Sequence, residues 1–255
     1  MATKAKTTKP VAAVTVKKEV KKAEMEFKVS LEELLESGAH FGHLIKRWNP
    51  KMKEFIWTER DGVHIFDLAK TAKQIEAACK FLYQQAAEGK VIVIVGTKRQ
   101  AKDIVREVAA AADLPFITER WLGGTLTNWQ QVYTRIKKLN DWKDKREKGG
   151  FAKYTKRERL LIDREILRLE RFFGGLSKLT REPDVLFVID THKERTAVRE
   201  AKAKGLAVVG ITDTNADPRL IDLPIPANDD ALRSIKLIVE LVGKAIAEGK
   251  KRAKA

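Results

Sequence analysis

The sequence predicts an α/β fold, a flavodoxin-like doubly wound parallel sheet that carries an inserted antiparallel coiled-coil helical hairpin. Three observations predict it. The runs VIVIV (Val91–Val95), VLFVI (Val185–Ile189) and AVVGI (Ala207–Ile211) are apolar at nearly every position, as strands covered on both faces must be. Helical patterns separate these runs, and right-handed crossovers between parallel strands then place helices on both sides of one sheet. From Thr127 to Gly174 the alternation stops, and two narrow apolar seams take its place.

The elements follow in order. Ser30 and Glu33 form a capping box that opens a short helix, Leu31–Glu36. Ser37–Met52, with its glycines, histidines, tryptophan, asparagine and proline, reads as an irregular loop. Strands are expected at Val63–Leu68, Val91–Val95, Phe116–Thr118, Val185–Ile189, Ala207–Ile211 and Leu223–Ile225. Helices are expected at Thr71–Glu88, Lys98–Ala112, Glu194–Lys204 and Asp229–Glu248, with Thr97 as an N-cap. In the insertion, Trp129, Val132, Ile136, Leu139 and Trp142 form one seam and Ile162, Ile166, Leu169 and Phe173 the other. The Gly149–Gly150 break between them folds the chain into a hairpin. At 1.5 Å per residue, arms of about 20 residues would extend about 30 Å. The expected organisation is a globular domain from residues 29–126 and 175–248, a hairpin at 127–174, and disordered basic tails at 1–28 and 249–255.

Charge is unevenly distributed. Met1–Lys28 carries +5, Arg135–Arg171 carries +7 and Gly249–Ala255 carries +4, which together account for the whole net charge of +16. The rest is neutral, so the chain looks like a scaffold presenting polyanion-binding elements. No apolar run approaches the roughly 18 residues of a membrane span, and no apolar segment follows the N-terminal lysines as in a secretory signal. Cys79 is the single cysteine, on the apolar face Ile75–Cys79–Leu82, which suits a buried thiol in a reducing compartment.

Candidate chemistry lies at the strand ends. GTKRQA after VIVIV has neither dinucleotide-binding nor P-loop spacing, but Lys98 and Arg99 suit phosphate. Asp190 and Asp213 end two strands, where open α/β sheets bind ligands, and with His40 or His43 they could hold a divalent metal or act as acid and base. Turn and cap duty explains the same aspartates. Lys46, Arg47, Lys51 and Lys53 surround Trp48 in the first loop, and Arg120 precedes Trp121, Gly123 and Gly124 in RWLGG. Such mixtures suit phosphate neutralisation, with the tryptophans and glycines setting the loops.

HFGHxxxRWNPKM, VHIFDLAKT, VIVIVGTKRQA, RWLGGTLTNW, PDVLFVID, ITDTNADP and PANDDALRSI occur in the order seen in bacterial ribosomal protein S2 (S-two), which the chain resembles from about Val29 to Glu248. The resemblance implies a structural constituent of the small ribosomal subunit, not an enzyme, that binds small-subunit ribosomal RNA and neighbouring proteins and helps dock ribosomal protein S1 (S-one). It implies a bacterial cytoplasmic setting, no membrane, no small-molecule substrate and no required cofactor, with a structural or adventitious divalent metal the one addition considered. The phosphate contacts then fall to Lys46, Arg47, Lys51, Lys53, Lys98, Arg99 and Arg120, and on the hairpin to Lys137, Lys138, Lys145, Arg146 and Arg157. The alternative is a nucleotide- or metal-dependent α/β enzyme using Asp190 and Asp213. Leu44 and Ile45 depart from the family's polar residues, and Ala227 replaces a glycine, so Ala227 should have φ below zero.

Overall fold

A computed structural model describes residues 27–254. The first part runs α1 (Leu31–Glu36), β1 (Phe41–Leu44), β2 (Ile56–Arg60), β3 (Val63–Phe66) and α2 (Leu68–Ala87). Next come β4 (Ile92–Val95), α3 (Lys102–Ala111), β5 (Phe116–Ile117), α4 (Trp129–Glu147) and α5 (Lys156–Phe173). The chain ends with β6 (Val185–Ile189), α6 (Arg195–Ala203), β7 (Ala207–Thr212), β8 (Leu223–Pro226) and α7 (Leu232–Lys254).

Five strands form a parallel sheet in the order β5-β4-β6-β7-β8. Renumbered within the sheet, that is the 2-1-3-4-5 order of the flavodoxin-like doubly wound fold. Successive side chains on a strand point to opposite faces. Accordingly Ile92, Ile94, Val185, Phe187, Ile189, Val209 and Ile211 pack with α2, α3 and α7. Val93, Val95, Leu186, Val188 and Val208 face the other way, into a core shared with α6, α4 and α5. This two-sided burial is what the apolar runs require.

The two inserted helices pack on one another. Val132, Ile136 and Leu139 of α4 and Ile166, Leu169 and Phe173 of α5 are buried, while Trp129, Trp142 and Ile162 are partly covered. Their seam is continuous with the core on one face of the sheet. A capping box of Thr155 and Glu158 starts α5, and Gly149 turns the chain at φ +69°.

Several expectations are corrected. Val63–Leu68 is no member of the parallel sheet: β3 lies at the centre of a separate antiparallel sheet, β1-β3-β2. The first loop contains a regular element, since Phe41–Leu44 is β1. Thr97 caps no helix. α3 begins at Lys102 behind Ala101, while the Thr97 hydroxyl donates to Glu194. The C-terminal basic residues up to Lys254 are helical, because α7 continues along α2 with Gly249 set so tightly that a Cβ would collide with the Tyr83 carbonyl oxygen. Phe27 belongs to the core and meets the Tyr83 ring, whereas the expected basic tail upstream of it lies outside the described residues. Ala227 is not among the positive-φ residues, as expected for a residue with a Cβ. Cys79 is buried, which pushes its thiol up to about 12 and keeps it protonated. Among the described residues, no helix is long and apolar enough to cross a membrane.

Candidate nucleic-acid interface and the acidic cluster beside it

The loop after β1 is tied to the end of β7. The His43 N–H donates to Thr214 Oγ1 at 2.9 Å, and the Asn49 N–H donates to the Thr214 carbonyl at 2.7 Å. Gly42 permits this approach, because a Cβ there would stand 2.6 Å from Thr214 Cγ2. The Asn49 side chain accepts from Lys51 N–H and, with Pro50, opens a 3-10 turn. Trp48 turns inward against His64, ring centroids 4.9 Å apart. Lys46, Arg47 and Lys53 are therefore left exposed, and no ion pair is formed by any of them among the described residues. Lys51 is engaged by Asp217.

Arg99 and Arg120 are also exposed without an ion pair among the described residues. They follow β4 and β5, so both lie at the C-terminal edge of the parallel sheet, the edge from which Thr214 anchors the first loop. In the segment after Arg120, Trp121 is buried and its indole N–H donates to Glu200 at 3.1 Å. Gly124 sits at φ +90°, and Gly123 is exposed with open space around its Cα.

The helical insertion presents cations in three states. Lys145 and Arg157 are exposed and unpaired among the described residues. Arg146 meets Asp163 at 3.3 Å, Lys143 meets Glu170 and Lys138 lies 4.0 Å from Glu165, so ion pairs bridge the two helices, while Arg168 pairs with Glu165 at 3.1 Å within α5. Lys137 lies 4.7 Å from the Tyr133 ring centroid and Lys138 4.2 Å from that of Trp142. These ammonium groups lie over ring faces, a cation–π arrangement.

Lys98 behaves differently from the other candidate cations. Its ammonium lies 2.6 Å from Asp229, 2.7 Å from Asp230 and 3.3 Å from Asp190. Burial opposes its charge, but Asp229 and its acidic neighbours carry the lysine upward, so it is a permanent internal counter-ion. His43 completes the cluster, with Nδ1 3.0 Å from Asp213 and Nε2 3.6 Å from Asp230. The hydrogen bond to Asp213 raises the imidazole above its ordinary value against the pull of burial. Burial, then Asp213 and Asp190, push the Asp229 carboxyl up to about 8.

The expected metal set is only partly assembled. His43, Asp229 and Asp230 bring ligand atoms within 4.8 Å of one another. His40 is elsewhere, its ring 4.0 Å from that of Phe41 beside a largely apolar cavity of about 630 Å³. Asp190, at φ +64°, is held by Lys98 and accepts from the Lys193 N–H at 2.9 Å. Asp213 accepts from Thr214 and from the Asp229 N–H. Both aspartates proposed for catalysis are thus engaged in turns and ion pairs. The grouping of Asp229 and Asp230 with His43 is not legible in the sequence, because ANDD reads as a helix start.

Comparison with known proteins agrees with the geometry. The family model described as Ribosomal protein S2 matches residues 34–249. The small ribosomal subunit protein uS2 of Coprothermobacter proteolyticus is 49% identical over 222 residues, covering 87% of this chain and 83% of that protein. That of Roseiflexus sp. is 49% identical over 224 residues, covering 88% and 86%. A doubly wound domain with an inserted helix pair, the motif-bearing loops gathered at one sheet edge and this extent of identity lead to one conclusion: the chain belongs to the ribosomal protein S2 family.

Proposed function

We propose that this chain is a structural, non-enzymatic component of the small ribosomal subunit, acting in the bacterial cytoplasm by neutralising and ordering ribosomal RNA. One observation carries the reading. Lys46, Arg47, Lys53, Arg99 and Arg120 are exposed at or beside one edge of the sheet without carboxylate partners among the described residues, whereas Lys51 and Lys98 are spent internally. Cations held on anchored loops fix the register of a phosphate backbone, and the shape of the folded RNA then supplies specificity. Lys145, Arg157 and the ring-backed Lys137 and Lys138 extend the basic surface along the inserted helices, which we read as a coiled-coil arm.

The partners are small-subunit ribosomal RNA and neighbouring ribosomal proteins. Docking of ribosomal protein S1 (S-one) fits the exposed apolar group Leu35, Phe41 and Trp57, the last 74% exposed. No cofactor is needed for RNA binding. His43, Asp229 and Asp230 form a donor set of imidazole nitrogen and carboxylate oxygens that suits a structural divalent cation.

Filter binding of the full chain to small-subunit ribosomal RNA at graded salt tests the reading. Log affinity should fall linearly with log salt. Replacing Lys46, Arg47 and Lys53 with alanine together should flatten the slope by about 2–3, at about 0.7–0.9 per lost phosphate contact. A flat dependence in the unmodified chain refutes the mechanism.

A further inference from the structure

The segment between β5 and α4 contains the RWLGGTLTNW motif, and a single side chain from a distant helix organises it. Glu200 of α6 is 9% exposed. Its Oε1 accepts from Trp121 Nε1 at 3.1 Å and from the Gly124 N–H at 2.9 Å. Its Oε2 accepts from the Leu126 N–H at 3.0 Å, the Thr127 N–H at 3.3 Å and the Thr127 hydroxyl at 3.4 Å. A carboxylate offers about four lone-pair directions, so these donors saturate it. No lysine or arginine is paired with Glu200 among the described residues, so backbone, hydroxyl and indole dipoles hold its charge.

The arrangement goes beyond packing. Three backbone N–H groups in a seven-residue stretch converge on one carboxylate, as they would on a bound anion. Gly124 reaches the required geometry through its φ of +90°. The same stretch joins exposed Arg120 to exposed Thr127 and Asn128, where α4 begins. An interior point therefore fixes both the placement of an unpaired cation and the take-off of the basic helix pair.

We infer that Glu200 is the positioning residue of the ribosomal RNA interface, an internal carboxylate that moulds the 120–127 loop into its RNA-binding shape. This rests on the RNA-binding reading above. Glu200→Gln keeps size and shape but replaces one acceptor oxygen with an NH2 facing donors, so about half of the set loses its partner. The loop should lose its shape while the sheet and α6 remain.

The test is a pair of double-mutant cycles on the full chain with small-subunit ribosomal RNA at fixed salt. Glu200→Gln should weaken binding tenfold or more. Combined with Arg120→Ala it should be no weaker than Glu200→Gln alone, because the loop cation is already misplaced. Combined with Arg47→Ala, on the other loop, the losses should multiply. General destabilisation would not separate Arg120 from Arg47 in this way. Losses that multiply in both cycles, equal coupling in both, or wild-type affinity for Glu200→Gln or Arg120→Ala would overturn the inference. If Glu200→Gln fails to fold, Glu200→Asp supplies the same cycles with the charge kept and the carboxylate withdrawn by one methylene. Failure of the underlying reading shows separately, as a flat salt dependence of the unmodified chain.

Discussion

Replacing Lys98 with methionine removes the ammonium from the acidic cluster while keeping most of the side chain's length. The Lys98 side chain is 14% exposed, and those of Asp229 and Asp190 are 1% and 9% exposed. Removing one partner from such a buried pair costs about 3–5 kcal/mol, because the remaining charge is left uncompensated. For a chain of this size the thermal midpoint should fall by roughly 6–20 °C, at about 2–4 °C per kcal/mol. The cost should be larger at pH 9 than at pH 7: Lys98 holds the Asp229 carboxyl down to about 8, so without the ammonium Asp229 keeps its proton to higher pH and the variant goes on losing stability where the unmodified chain levels off. Circular dichroism melts at both pH values measure this, and filter binding gives the second readout. Since Lys98 is neutralised within the protein, its loss should leave the salt slope of RNA binding unchanged. A cost below about 1 kcal/mol, typical of a surface pair, or a slope change of the size expected for Lys46, would refute the assignment of Lys98 as an internal counter-ion.

The cluster also predicts a pH dependence in the unmodified chain. Asp229 is raised from an ordinary 3.8 to about 8, so between those values the folded chain holds the extra proton and stability falls as pH rises. His43 acts in the same direction: its contribution is complete below 6.5 and is lost as pH rises through its elevated value. Urea melts from pH 6 to 9 should show the decline, and Asp229→Asn should flatten it; a rise in stability over that range would contradict the cluster. Along the helix pair, Leu139→Ala should destabilise by about 2–5 kcal/mol because Leu139 is fully buried. Leu167→Ala, at a 64% exposed position, should cost no more than about 0.5 kcal/mol. Comparable losses in the two variants, measured by denaturant titration, would mean that the seam is wrongly placed.

Legibility in the sequence followed burial. VIVIV, VLFVI and AVVGI announced strands because both their faces are covered, and the two seams announced helices because one stripe of each is. IWTER and FGHL form strands with mostly exposed or partly exposed residues, so β1 and β2 left no periodic signal. The C-terminal GKKRAK looked like a solvated tail, yet it continues a helix already nucleated along α2, and each added turn is cheap once the helix exists. Among the site residues, the exposure of Lys46, Arg47 and Lys53 followed from an inward Trp48, which composition suggested. Glu200 gave no sign at all, since it is a polar residue within a helix pattern and its partners lie 73 to 79 positions away.

By itself the sequence determined the strands and helices with a buried face, the placement of +16 in a few segments, and the motifs that mark the family. Tertiary structure decided which charges remain available. Lys98 and Arg99 are neighbours in the chain, but one is held by aspartates 92 to 132 positions away and the other faces solvent. Periodicity and charge counts are local properties, readable along the chain. Compensation of a charge depends on distance in space, and only the folded chain sets that distance.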